Sequence, residues 1–269
     1  MSEIAAVVFD WAGTVIDFGC LAPVRALQRA FAAEGLAVTD AQTRKDMGRA
    51  KRDHVAAMLC DPGISQAWHE LRGTRPSEAD IERIYKALGP LMREEAAAHC
   101  ALIPGAAETA GWLGARGVKV GSSTGYTRAM MEPIIPQAAA QGYAPEAIVC
   151  AGETAEGRPS PLPMWKALLE LSAYPAWRCI KVDDAVVGVA EGRNACTWAI
   201  GVAASGNGVG LGLNDWRSLD DDRRREKIAA SRAELYAAGA DYVIDTIADL
   251  KEVFLDIERR IIGGDRPRP

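Results

Sequence analysis

Residues suited to handling a phosphoryl group and a cation occur in this chain in a fixed order. Asp10 closes an apolar run and is followed by Trp11-Ala12-Gly13-Thr14. A carboxylate at the end of a buried strand is well placed to meet a ligand, and Gly13 permits a tight turn directly after it. Thr124, followed by Gly125, offers a hydroxyl and loop amides for a phosphoryl oxygen. Arg158, in Gly157-Arg158-Pro159, offers positive charge to balance a phosphoryl group and a carboxylate beside it. Asp183 and Asp184 are adjacent acids of the kind that suit a hard cation such as Mg²⁺. Each of these alone also fits a helix cap, a turn or a solvated loop. Their order, each beside a strand-like run, gives them weight together.

The runs that position them read as buried strands: Ala5 to Phe9, Val118 to Ser122, Ala147 to Cys150, Cys179 to Val182, Trp198 to Val202, and one near Asp241 to Ile244. Helical patterns over Ala106–Arg116, Thr127–Ala140, Pro163–Ser172, Val187–Ala195 and the C-terminal segment alternate with them. Such alternation predicts an α/β fold with a Rossmann-like parallel sheet covered on both faces. Between the first two strands the pattern is helical. Val24, Leu27 and Phe31 share a face after Pro23, with Gly35 as a stop. A second long helix is predicted from about Ala79 to Cys100, with a break or kink at Pro90. The expected division is a core of residues 1–18 and 101–269 and an inserted α-helical cap of residues 19–100. The cap would sit over the carboxyl ends of the strands, where open α/β sheets bind ligands. The Gly/Pro/Arg-rich tail from Gly263 to Pro269 is expected to fray.

The bulk properties set bounds. The 269 residues suffice for one such core plus a smaller insertion. A net charge of -5 argues against a broad nucleic-acid surface, and no apolar run is long enough to suggest a membrane span. The start, Met1-Ser2-Glu3-Ile4, has no basic region or signal-peptide pattern, so a cytoplasmic location is expected. The six cysteines are scattered without a CxxC pair, and free thiols are expected.

Asp, then Thr, then a basic residue, then Asp-Asp resembles the haloacid dehalogenase superfamily, in which the first Asp attacks phosphorus to give an aspartyl phosphate. The usual phosphatases of that superfamily carry a second Asp two residues later, which protonates the leaving oxygen. Here that position is Ala12, which has no proton to give. A carbon leaving group raises the same difficulty more acutely, and a lysine answers it: condensed with an aldehyde beta to phosphorus, it forms an imine that accepts the C–P electrons as an enamine. The helical segment supplies Met47, Lys51 and His54 at i, i+4 and i+7, a spacing that predicts one helix face. On that reading His54 carries protons for Lys51.

The chain further resembles the phosphonoacetaldehyde hydrolases. The resemblance runs through Asp10-Trp11-Ala12-Gly13-Thr14 with Asp17, Gly19 and Cys20, Met47-Gly48-x-x-Lys51-x-Asp53-His54, Gly121 to Arg128, Gly157-Arg158-Pro159 and Glu191 to Ala195. It implies C–P bond hydrolysis of phosphonoacetaldehyde in 2-aminoethylphosphonate degradation, with Mg²⁺ and a homodimer. It also implies roles. Asp10 would be nucleophile and metal ligand, with the Ala12 carbonyl and the Asp184 side chain completing the metal site. Lys51 would form the Schiff base. Cys20, Met47, His54 and Tyr126 would line and tune the site, and Thr124 and Arg158 would hold the phosphoryl group.

The sequence also departs from that pattern. Better-known members often carry Thr after the residue matching Asp184 and an acid four positions beyond it; here those positions are Ala185 and Gly188, while Asp183 stands where many have Gly. The glycines at 206, 208, 210 and 212 miss the GxGxxG spacing, so the stretch reads as a loop and not a dinucleotide site. Three other readings stay open at this level: a phosphate-ester phosphatase or phosphomutase, a non-catalytic phosphonate-binding protein, and a metal-free dehalogenase.

Overall fold

The protein is described by a computed structural model over residues 2–268, so Met1 and the last residue of the tail, Pro269, lie outside it. The chain opens with β1 (Ala6–Phe9) and passes into helices α1 (Leu21–Ala33), α2 (Asp40–Arg44), α3 (Lys51–Cys60), α4 (Pro62–Arg72) and α5 (Glu78–Ala98). It then alternates: α6 (Ala106–Gly114), β2 (Lys119–Ser123), α7 (Arg128–Met131), α8 (Ile134–Ala140), β3 (Ala147–Val149), α9 (Leu162–Glu170), β4 (Cys179–Asp183), α10 (Val186–Asn194) and β5 (Trp198–Val202). Last come α11 (Leu213–Ser218), α12 (Asp221–Ala237), β6 (Tyr242–Ile244) and α13 (Leu250–Ile262).

The described strands form one parallel sheet in the order β3-β2-β1-β4-β5-β6. In β1, Val7 and Phe9 pack into one hydrophobic layer with Ile180 and Val182, while Ala6 and Val8 face a second layer with Met164 and Leu168. Apolar residues on both faces are what a parallel sheet covered by helices requires. Register places Phe9 level with Ser122 on one side and Val182 on the other. The chain therefore emerges from β2, β1 and β4 side by side at their carboxyl ends.

Helices α2, α4 and α5 are started by polar caps. The Thr39 and Ser77 side chains each form a capping box, and the Asp61 side chain accepts from the amides of Gly63 and Ile64. Helix α1 packs along α5, where Arg29 pairs with Glu94 and Glu95.

Several expectations from the sequence need correction. Helix α5 runs through Pro90 without a break; with neighbouring turns intact, loss of one amide donor does not end a 21-residue helix. The predicted helix over Thr127–Ala140 is two short helices separated around Pro133. Helix α12 has no counterpart in the sequence reading, because just Ser231 and Leu235 of its 17 residues are buried and no apolar stripe marks it. In the tail, the Arg266 guanidinium lies 3.5 Å from the centre of the Trp177 ring, which ties down a segment expected to fray.

Candidate active site

Asp10 follows β1 directly, and its backbone amide donates to the Val182 carbonyl of β4. Its carboxylate Oδ1 accepts from Arg158 Nη1 at 2.8 Å, and both side chains are nearly buried. Behind this pair lies a fully buried charge network. Asp183 Oδ2 is 3.3 Å from Arg158 Nη1 and 3.1 Å from Lys181 Nζ. Glu191 Oε2 is 3.1 Å from Arg158 Nε and 3.0 Å from the same lysine. Lys181 Nζ also donates to Ser123 Oγ at 2.7 Å, and Arg158 Nη2 donates to the Ser123 carbonyl. Buried charges persist only when matched in this way. The network fixes the plane of the Arg158 guanidinium and, through it, one oxygen of Asp10.

Asp184 is held differently. Its Oδ2 accepts from the Asn207 backbone amide at 2.7 Å, and its Oδ1 lies 3.4 Å from Thr14 Oγ1. Ligand oxygens of Asp10, Asp183 and Asp184 all come within 4.8 Å of one another. Burial, then the charge of Asp183, pushes the Asp10 carboxyl up to about 6. Burial, then Asp10, pushes Asp184 well above the usual carboxylate range. Mutually repelling buried carboxylates with oxygen donors fit a hard divalent cation, which would relieve the repulsion. Asp183 faces two protein cations and Asp10 one.

Lys51 is the first residue of α3 and is 2% exposed. Its Nζ lies 3.8 Å from Met47 Sδ and 5.4 Å from the centre of the Tyr126 ring. Burial, the largest influence, lowers its pKa to about 8. Met47 precedes α3 instead of sharing its face, because the chain turns at 45–49 before the helix begins. The sulfur reaches Lys51 all the same. His54 does not join them. Its Nε2 donates to the Thr43 carbonyl at 2.8 Å, its Nδ1 has no hydrogen-bond partner, and it is not among the residues lining the site. Burial, then the Lys51 charge, depresses its pKa to about 3, so the imidazole is neutral.

Asp10, Ala12, Cys20, Met47, Lys51, Thr124, Tyr126, Arg158 and Asp184 converge on one cavity. Its volume is about 20 Å³, room for roughly one water. A substrate larger than water needs some of these lining elements to move apart. Thr124 Oγ1 accepts from the Tyr126 amide at 3.2 Å, which shapes the loop after β2. Cys20 sits in a left-handed conformation (φ 52°) at the start of α1. Burial, then Asp184, keeps its thiol protonated, which disfavours a thiolate nucleophile.

The haloacid dehalogenase-like hydrolase family matches residues 4–195. A phosphonoacetaldehyde hydrolase of Paraburkholderia phytofirmans is 46% identical over 267 residues, covering 99% of this chain and all of that protein. The chain belongs to the phosphonoacetaldehyde hydrolase family. A crystal structure of a phosphonoacetaldehyde hydrolase-like protein from Oleispira antarctica superimposes with a TM-score of 0.97 at 42% identity, covering 98% of this chain and 96% of that one. A β-phosphoglucomutase from Clostridium difficile shares the fold, with a TM-score of 0.66 at 17% identity over 97% and 99% of the two chains. As a member of this hydrolase family, the chain is an enzyme, and among its described residues no helix is long and apolar enough to cross a membrane.

Family membership gives meaning to the departures at 183 and 188. A Cβ built on Gly188 would collide with the Asp183 carboxylate. A side chain at 188 would therefore force the Asp183 carboxylate out of its present place. Ser123, Lys181, Glu191 and Asn207 were not singled out from the sequence as site residues. Lys181 did leave a signal, a lone charge inside the apolar strand Cys-Ile-Lys-Val-Asp. The contact of Asn207 with Asp184 is through its backbone and leaves none.

Proposed function

We propose that the enzyme hydrolyses phosphonoacetaldehyde, the substrate in the names of its relatives, and that the products are acetaldehyde and inorganic phosphate. The observation that carries this reading is the burial of Lys51, with its lowered pKa, in the same cavity as Asp10. A neutral amine opposite a nucleophilic carboxylate is what C–P cleavage beta to a carbonyl needs.

On this reading the Lys51 amine adds to the aldehyde carbon and water leaves, giving an imine that is then protonated on nitrogen. Asp10 attacks phosphorus, the P–O bond forms as the C–P bond breaks, and the C–P electron pair moves into the enamine. No proton need be delivered to a leaving oxygen, which accounts for Ala12. Protonation at carbon regenerates an imine. Water hydrolyses it to acetaldehyde and free Lys51, and a second water cleaves the aspartyl phosphate. Arg158 and the loop at Thr124 hold the phosphoryl oxygens. Cys20, Met47 and Tyr126 line the aldehyde end and exclude water. His54, one turn beyond Lys51 with Nδ1 unpartnered, would carry protons for Lys51 only in a form of the enzyme where its burial is relieved.

Mg²⁺ would be held by Asp10, Asp184 and the Ala12 carbonyl, and would supply charge that offsets repulsion between the carboxylate and the phosphonate. We assign residues 1–18 and 101–269 to the catalytic core and 19–100 to a mobile cap. We further assign the enzyme to the cytoplasm as a homodimer; sedimentation at a single-subunit mass would refute the dimer. The decisive experiment is borohydride reduction in the presence of phosphonoacetaldehyde, followed by peptide mapping. A two-carbon adduct on Lys51 supports the reading, and labelling elsewhere or none ends it.

A further inference from the structure

The glycine-rich loop at 204–212 reads in sequence as a plain connection, yet it is wedged between the helical segment and the cation site. Arg44, the last residue of α2, donates through Nη1 to the Gly19 carbonyl at 2.9 Å and to Asn207 Oδ1 at 3.1 Å. Through Nη2 it donates to the Gly210 carbonyl at 3.1 Å. Asn207 returns a bond, Nδ2 to the Arg44 carbonyl at 3.1 Å. On its other side the Asn207 amide donates to Asp184 Oδ2 at 2.7 Å. The loop backbone lies close against both partners. A Cβ at Gly206 would sit 2.5 Å from Asp184 Cβ, and one at Gly210 would sit 2.8 Å from Arg44 Cζ. Glycine suits both places, at Gly206 for the close approach to Asp184 and the Val202 carbonyl and at Gly210 for its positive φ.

We infer that Asn207 is a positioning residue that ties Arg44 of the helical segment to the carboxylate of Asp184, so that seating the segment sets the cation site. Asp184 Oδ2 is pinned by the loop amide, and that pin fixes where Oδ1 lies. If Arg44 withdraws, the Asn207 side chain loses both of its partners in the segment, and the amide that orients Asp184 is released with it. Withdrawal of the segment for substrate entry would then loosen the cation, and closure would tighten it. The inference rests on the cation reading above, in that Asp184 is taken as a ligand. Outer partners of metal ligands are known to govern affinity in this way.

The test uses the full chain with Arg44→Met, Asn207→Ala and the double variant, read by two methods. Magnesium chloride titration by calorimetry reports the Kd. Hydrogen exchange of the 203–212 amides reports the loop without any metal. Each single variant is expected to weaken Mg²⁺ binding on the order of tenfold and to speed exchange of the Asn207 amide. The double variant should be no worse than the weaker single one, because both cut the same link. Arg44→Lys, which keeps the charge but not the planar fork, should fall between and guards against a variant that does not fold. Wild-type exchange in Arg44→Met and Arg44→Lys, or additive losses in the double variant, would overturn the link. A wild-type protein that binds no Mg²⁺ would overturn the cation reading, while the exchange data would still decide whether Arg44 holds the loop.

Discussion

Asp183 and Gly188 share one space: the carboxylate of the first occupies the volume that any side chain at the second would need. Asp183 is fully buried, and its Oδ2 faces Lys181 and Arg158 at 3.1 and 3.3 Å. The one acid in that space therefore comes from the end of β4. Gly188→Asp alone should be destabilising by about 1–3 kcal/mol, from overpacking and like charge. In Asp183→Gly/Gly188→Asp the carboxylate regains a place, so the double variant should be more stable than Gly188→Asp. Thermal melts of the three proteins decide it; a double variant less stable than both singles would refute the exchange.

Lys181 holds that network together from within β4. Its Nζ meets Ser123, Asp183 and Glu191 with no solvent exposure. Lys181→Met keeps the length of the side chain but removes one of the two cations that face the buried carboxylates of Asp183 and Glu191. Removing one partner of a buried ion network costs about 3–5 kcal/mol. Urea denaturation should show a loss of that size, and activity should fall with it because Arg158 loses its fixed plane. A loss under about 1 kcal/mol would mean the carboxylates reprotonate freely or find water.

The sheet was legible in the sequence because its strands are short, apolar on both faces and punctuated by chemistry-bearing residues such as Asp10 and Asp183. What could not be read was whatever depends on a backbone atom or on distant packing. Asn207 contacts Asp184 through its amide, which every residue type but proline possesses. Met47, Lys51 and His54 have helical spacing, yet Met47 precedes α3 and His54 turns to the Thr43 carbonyl. Periodicity fixes angles around an axis and says nothing of where a helix starts. Asp183 was visible as an acid, but its exclusion of a side chain at 188 needs the turn from β4 into α10 in three dimensions.

Lys51 sets an expected pH dependence. Burial lowers its pKa to about 8 from the ordinary 10.5, so the neutral, nucleophilic fraction rises as pH passes through about 8. Imine formation, read as borohydride-trapped adduct per unit time, should rise about tenfold per pH unit below that value and level off above it. At an ordinary pKa the rise would continue past pH 10. Lys51→Arg keeps a cation but cannot condense with an aldehyde, and turnover should fall by roughly 10³-fold or more. Retained turnover in that variant would remove the lysine from the chemistry.

The carboxylates make a prediction about the metal-free protein. Asp10 titrates near 6 when folded and at 3.8 when unexposed to burial, as in an unfolded chain, so between those values the folded state holds a proton that the unfolded state has released. Folded protein binding more protons means stability falls as pH rises through that window, and the loss is complete above about 6. Asp184, raised in the same direction by burial and then by Asp10, adds to the fall. A cation between these groups favours their ionised forms and should cancel the trend. With chelator, the melting temperature should therefore decline from about pH 4 upward. With Mg²⁺ at about a hundred times its Kd, some 2.7 kcal/mol should be regained at neutral pH. The gain should shrink as pH falls and the carboxyls protonate, because cation and proton compete for the same oxygens. Melts with and without Mg²⁺ across pH 4–8 test this, and a Mg²⁺ effect that is flat with pH would place the ion somewhere other than Asp10 and Asp184.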